Sequence, residues 1–422
     1  MWLLLAMIFI MPFEANPYLY LAPNFLGVFP DFTLIKLLGL MGFCWAMVRL
    51  CSGDRHAPLL ASRAATLFLV FFFGVLFAGL LSGSGFLAIS RYLAFLTFLP
   101  FVLVAIKTPE DLRRVLMAMT LSLIFVFPYG VRQMLRYNAR LGTGLYETNY
   151  FATILVLVIP LAFVFAVQAQ DSLRRTLWTL GGLVLVLELF MTSSRGGFLG
   201  LLVASLVFVY RRRGLSGALG VVTVLLLGLI ILPTDLGSRL WSVLGDRGGA
   251  MPPGLEASNR AHEALFWAAL RMIGDNPIFG VGPLNFKALS TLYTGLPQGN
   301  IAHNTFLEVA AEFGLPVFAV FVLLIVTTFR TLNAATRLAG TDEGWRLAGW
   351  AEGLRSGLLG FLVAGFFISA QYEKMFWLSV FVTIVLGRFA REAAAAHQAA
   401  EAEVAEAVAE PDVPLDPLPQ PQ

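Results

Sequence analysis

Long apolar stretches separated by short polar ones run through most of this chain. A helix needs about 20 apolar residues to cross a hydrocarbon layer, and about twelve windows approach that length. They lie near residues 1–13, 32–50, 65–83, 86–106, 115–130, 149–168, 177–193, 197–210, 216–232, 304–328, 353–370 and 375–389, the first and last being short. The pattern predicts an all-α integral membrane protein: nine helices in residues 1–232, an external loop over 233–303, three more helices in 304–391, and a tail over 392–422. The loop is the one inter-span segment long enough to fold. Within it Ser258 or Asn259 can cap a helix whose apolar positions Leu265, Phe266, Ala269, Met272 and Ile273 recur at three and four residues. Gly274-Asp275-Asn276-Pro277 stops that helix, and Arg260 and His262 fall in its first turn. From Glu392 the chain turns to alanine and glutamate, then to Pro411, Pro414, Pro417, Pro419 and Pro421, which reads as a disordered cytoplasmic tail. Met1-Trp2-Leu3-Leu4 lacks a basic region and a small-residue cleavage site, so it reads as a retained first helix.

Composition agrees. Mean hydropathy is +0.79 with 13% charged residues, whereas soluble domains carry about 25%, so a soluble enzyme is excluded. A scattered net charge of +3 gives no footprint for nucleic acid. Cys44 and Cys51 form no disulfide or metal framework. Lysine and arginine bias sets the orientation. With a cytoplasmic N-terminus the inside loops collect Arg55 and Arg63, Lys107 with Arg113 and Arg114, Arg174 and Arg175, Arg211 to Arg213, Arg330, Arg337 and Arg346, then Arg388 and Arg391. The outside receives Arg195 and the long loop. Residues 131–148 are the exception, bringing Arg132, Arg136 and Arg140 outside, which points either to an anionic ligand or to a miscounted helix.

Polar groups beside a bilayer are costly without partners or work to do. That singles out His303-Asn304, where the loop enters an apolar stretch, and Arg195 in Thr192-Ser193-Ser194-Arg195-Gly196-Gly197. With Arg260 they share one side, joined there by Arg132, Arg136, Arg140, His262 and Lys374. Two or three guanidinium groups around one cavity suit a diphosphate, since each planar fork offers paired donors. A histidine can accept a proton from an attacking hydroxyl. Glycosyl transfer from a lipid diphosphate needs that layout. Plainer readings stand beside it. Arg195 can snorkel to headgroups, Arg260 and His262 can be solvated, and His303 can bond to loop backbone. Glu308 and Glu312 either complement a helix start or supply an acid that orients His303 or binds an acceptor. Glu188 has no assigned role, and Gly280-Val281-Gly282 is a turn rather than a nucleotide loop. External acids are scattered, with no cluster to hold a divalent cation, so neither metal nor other cofactor is expected.

At these residues the chain resembles the O-antigen ligase and polymerase superfamily. The resemblance rests on Ser194-Arg195-Gly196-Gly197 closing one span, Asn259-Arg260 and Asn276-Pro277-Ile278-Phe279-Gly280-Val281-Gly282-Pro283 in the loop, and His303-Asn304-Thr305-Phe306-Leu307-Glu308 with Phe313-Gly314 opening the next. It implies a bacterial inner-membrane glycosyltransferase of the C-type architecture with a periplasmic active site. The implied donor is an undecaprenyl-diphosphate-linked glycan and the acceptor lipid A-core, joined with inversion. His303 would activate the acceptor while Arg195 and Arg260 hold the diphosphate. Asn304, Asn259, Arg136, Arg140, His262 and Glu308 are the expected substrate-binding residues. Repeat-unit polymerases and protein-directed transferases share these motifs. Outside the class, an anion transporter would show broken helices or matching halves, and neither is legible.

Overall fold

The computed structural model describes residues 1–14, 19–22, 32–53, 57–84, 86–137, 140–142, 147–231, 253–340 and 344–409. Apart from short 3-10 turns and one antiparallel strand pair, Tyr20–Ala22 with Phe32–Thr33, its regular structure is α-helical. The helices are α1 (Trp2–Ile10), α2 (Leu34–Cys51), α3 (Arg63–Leu81), α4 (Phe86–Ala105), α5 (Pro109–Ile124), α6 (Phe127–Tyr137) and α7 (Thr148–Gln168). After them come α8 (Ser172–Met191), α9 (Arg195–Ile231), α10 (Pro253–Asp275), α11 (Asn285–Thr294), α12 (Thr305–Thr336), α13 (Gly344–Ala364) and α14 (Lys374–Ala409). Several begin where a short polar side chain satisfies orphaned N–H groups. Asp171 accepts from Arg174 N at 2.7 Å, and Thr108 forms a reciprocal capping box with Asp111.

By length and apolar composition, five stretches among the described residues can cross a membrane: Leu34–Cys51, Arg63–Leu81, Pro109–Arg136, Thr148–Gln168 and Thr305–Thr336. Charges thin out the rest, such as Arg174, Arg175 and Glu188 on α8 or Arg346, Glu352 and Arg355 on α13. Polar links nonetheless sort the helix ends into two sets. At one end Arg140 Nε donates to the Thr192 carbonyl at 2.7 Å, Thr305 N to the Gly365 carbonyl at 2.8 Å and Asn285 Nδ2 to Ser84 Oγ at 3.0 Å, while Lys374 pairs with Glu14. At the other, Gln168 Nε2 donates to the Arg346 carbonyl at 3.1 Å, Arg355 to Asn333 at 3.1 Å and Arg388 to the Lys107 carbonyl at 3.2 Å. The helices run back and forth between an Arg195 end and an Arg211 end. Within α9, Gly214 (φ 67°) reverses the chain directly after Arg211-Arg212-Arg213, as the two expected spans require.

The centre is α7, almost wholly buried, with α13 laid against it. Close approach comes from small residues spaced by four or three, as in membrane helix pairs. A Cβ at Gly357 would lie 2.0 Å from the Leu157 carbonyl oxygen, and one at Gly353 2.8 Å from the Leu161 side chain.

Three differences from expectation have physical causes. The span expected over 304–328 breaks at Gly314 (φ 81°, ψ 167°), because Pro316 has no N–H to give to the Glu312 carbonyl. The chain 277–282 fills the gap as a strap: Val281 N donates to the Ala311 carbonyl at 2.9 Å, Gly282 N to the Glu312 carbonyl at 2.8 Å, and Leu315 N to the Pro277 carbonyl at 2.7 Å. Gly280 and Gly282 take positive φ, and a Cβ on Gly280 would fall 2.4 Å from the Glu312 backbone. Next, α10 starts earlier than the Ser258 cap, at Pro253. It buries Leu265, Ala269 and Met272 with Val281, Phe286, Ala302 and Ala311, while Phe266, expected inside, is 43% exposed beside Trp267. Finally, α14 continues through the Ala/Glu stretch to Ala409, so this part of the expected disordered tail is helical. Residues 410–422 lie outside the described chain.

Replacing Gly357 by valine forces α13 away from α7. Overpacking of this kind costs about 1–3 kcal/mol, so Gly357→Val lowers the melting temperature of purified protein by several degrees. An unchanged melt would contradict the close packing.

Candidate active site

Two turns at the Arg195 end carry backbone strain, and both hold residues singled out by sequence. Among described non-glycine residues, positive φ occurs at Ser193 (53°), Leu284 (62°) and His303 (50°). Such conformations persist where surrounding structure over-determines them. Around Ser193, Thr192 Oγ1 donates to the Leu189 carbonyl at 2.7 Å and accepts from Ser194 N at 3.2 Å, and Ser194 Oγ accepts from Gly197 N at 3.3 Å to start α9. Arg140 braces the turn through the Thr192 carbonyl and reaches Asn149 Oδ1 at 3.4 Å. The glycines of Ser194-Arg195-Gly196-Gly197 allow contact: a Cβ at Gly197 would lie 2.5 Å from Ala152 Cβ, and one at Gly196 2.9 Å from Phe367 Cβ. Arg195 projects from this locked turn, exposed.

His303 is fixed from both sides. After it, Asn304 caps α12, its Oδ1 accepting from Phe306 N and Leu307 N at 3.0 Å each. Thr305 Oγ1 donates to the Ile368 carbonyl at 2.7 Å and accepts from Ala370 N at 2.8 Å. Before it, Glu308 Oε2 accepts from Ala302 N at 2.8 Å and from Ser369 Oγ, and Oε1 accepts from Gln371 Nε2 at 2.7 Å. Glu312 accepts from Tyr372 Oη at 2.9 Å and from Phe286 N at 3.4 Å. Both carboxylates are enclosed, with Glu308 only 2% exposed. The Glu308 carboxylate thereby holds the residue preceding the strained His303.

His262 on α10 lies against His303, the ring centroids 4.5 Å apart and the planes tilted by 65°. Burial, and then the positive charge of Arg195, lower the pKa of His262. Burial, and then the neighbouring His262, push His303 down to about 4. Both imidazoles are neutral at pH 7, so His303 can offer a lone pair to a proton. His262 and His303 thus meet, from α10 and the segment before α12, with Arg195 of α9 near enough for its charge to act on His262. Arg260 is exposed two residues before His262, roughly half a turn round the helix from it. Arg132 and Arg136 are exposed on α6. Lys374 is committed to Glu14, and the Asn259 side chain lies outside the described part.

Sequence reasoning missed Ser369, Gln371 and Tyr372, which anchor the two glutamates. A polar run between two apolar spans was their signal.

The stretch from 180 to 322, about a third of the chain, matches the family described as O-Antigen ligase. Residues 180–322 belong to the O-antigen ligase family. This family, of ligases and polymerases, comprises glycosyltransferase-like enzymes of lipopolysaccharide synthesis. The O-antigen ligase match takes in the Arg195 turn, α10 with Arg260 and His262, the strap and His303. No curated protein matches the chain.

Removing the Glu308 carboxylate strands three buried donors, each worth about 1–3 kcal/mol when left unpaired. Glu308→Ala should lower the melting temperature clearly, with Glu308→Gln falling between it and wild type. A Glu308→Ala melt equal to wild type would contradict the anchoring role.

Proposed function

We propose that the protein is a metal-independent, inverting glycosyltransferase with about twelve membrane crossings in the bacterial inner membrane. It moves an undecaprenyl-diphosphate-linked O-antigen glycan onto lipid A-core at the periplasmic face. The observation that carries the reading is the contact of His262 with His303, within the field of Arg195, at one end of the bundle and inside the stretch that matches the O-antigen ligase family. A lipid-linked donor reaches this end from the bilayer. An anion transporter fits less well: the one break in α12 is closed by the strap's own backbone and opens no path.

In this reading the acceptor hydroxyl oxygen attacks the anomeric carbon from the face opposite the diphosphate. The bond from that carbon to the diphosphate oxygen breaks, and the diphosphate leaves with the electron pair. The hydroxyl proton passes to His303, and Arg195 and Arg260 neutralise the charge growing on the leaving group. Asn304, Arg136, Arg140 and His262 frame the substrates, and Asn259 is a further substrate-binding candidate from the sequence.

His303→Ala should lower transfer by about 10²–10⁴ while leaving membrane abundance unchanged. The pH profile is a second signature. His303 accepts a proton only when neutral, and its pKa is held to about 4, so kcat/KM stays flat from neutral pH downward and falls only on approach to that value. Wild-type rates from folded His303→Ala, or an acid limb centred on the ordinary histidine value near 6.5, would contradict the assignment.

Lysine at Arg195 or Arg260 keeps the charge but loses the paired donors. Arg195→Lys and Arg260→Lys should each raise KM for the lipid-diphosphate donor and lower kcat/KM by about tenfold or more, the loss of one charge-assisted bond of roughly 1.5–3 kcal/mol. Full activity in both would contradict diphosphate contact.

A further inference from the structure

At the Arg211 end, far from His262 and His303, a cavity of about 520 Å³ opens between the C-terminal ends of α7 and α12, the first turns of α13 and the stretch of α9 just before its Gly214 reversal. Its walls include Gln168, Arg211, Arg212, Thr336, Trp345 and Glu352. That volume lies within the roughly 300–1,000 Å³ of small-ligand sites. We infer that this cavity binds the phosphate headgroup of an anionic membrane lipid in the leaflet opposite the His262–His303 site.

Charge is the first argument. Glu352, the acid among these walls, is already matched by the buried Arg355, whose Nη2 donates to it at 2.6 Å while Nη1 donates to Asn333 at 3.1 Å. Arg211 stands 3.8 Å from the other Glu352 oxygen, beyond hydrogen-bond distance, with half its side chain exposed. Arg212 rests its guanidinium over the Phe208 ring, 4.6 Å from the centroid, which steadies the group and leaves its edge donors open. The lining therefore carries a positive surplus, and its donors are forks suited to phosphate oxygens.

Place is the second argument. The cavity sits where α7 and α12 end, both apolar enough to cross a membrane, which is the depth at which headgroups lie, and basic pockets between membrane helices at that depth hold anionic headgroups. Trp345 supplies the amphipathic ring favoured at this level, and Val167 with Ala348 continue the wall as apolar surface for the start of an acyl chain. A soluble anion would gain nothing from that apolar wall.

The test is thermal unfolding of the purified, delipidated full chain in neutral detergent, titrated with phosphatidylglycerol, phosphatidylcholine or inorganic phosphate. Phosphatidylglycerol should raise the melting temperature by several degrees, growing with the logarithm of its concentration, while the other two leave it unchanged. The rise should vanish in Arg211→Gln/Arg212→Gln and shrink in Thr336→Glu, which sets a carboxylate on the wall without removing an arginine. It should persist in Arg175→Gln, which removes an exposed arginine outside the cavity. Equal stabilisation of wild type and the double variant, or of Thr336→Glu, would overturn the assignment. An equal response to inorganic phosphate would overturn the lipid source, and an equal response to phosphatidylcholine the selectivity for anionic headgroups.

Discussion

A peptide group out of reach of water must find its partner within the protein, and the architecture of the Arg195 end follows from that constraint at one place. Helix α12 breaks at Gly314 because Pro316 cannot donate, which frees the carbonyls of Ala311 and Glu312. The strap over residues 277–282 supplies the missing N–H groups and takes one from Leu315 in return. Once the strap is tied there, α10 must end beside it and α11 must begin just beyond it. The first turns of α12 then become the floor on which residues 253–303 fold, with Leu265, Met272, Val281, Phe286 and Ala311 as a small core. His262 is carried to His303 by this arrangement and by no direct bond between them.

A second tier of polar bonds sets the fine geometry. Glu308 and Glu312 face inward from α12 and gather donors from the loop on one side and from residues 369–372 on the other. Their burial would be expensive without those donors, so the network fixes the register between α12 and the chain joining α13 to α14. His303, at φ 50°, sits between Ala302, held by Glu308, and Asn304, held as the helix cap. The Arg195 turn is locked independently, by Arg140, Thr192 and Ser194. Reactive groups carried on rigid turns need little reorganisation when charge develops, which is where preorganised donors contribute most.

Much of this was legible in the chain. Apolar windows gave the helices with boundaries close to those observed for α2, α3, α4 and α7, since runs of phenylalanine, leucine and valine bounded by serine, threonine or arginine leave little choice. The polar intrusions at Arg195 and His303 were legible because charge and imidazole are costly beside lipid. The break in α12 was not, since Phe313-Gly314-Leu315-Pro316 reads as apolar and its compensation comes from a distant segment. Nor was the role of Glu308, because burial by Ser369 and Gln371 depends on a contact across more than 60 residues. Gly280-Val281-Gly282 read as a turn, yet with Pro277 to Phe279 these residues form the strap. Motif membership therefore does not separate chemistry from architecture; the partners of each atom do.

Lipopolysaccharide from cells lacking the gene reveals whether this chain completes a lipid-linked glycan transfer. Separated on a gel, that material should show lipid A-core without attached polymer while lipid-linked polymer accumulates. A plasmid copy should restore the ladder, and a His303→Ala copy made in equal amount should not. Cores bearing a single repeat would reassign the chain to repeat-unit polymerisation, and an unaltered ladder would contradict the account.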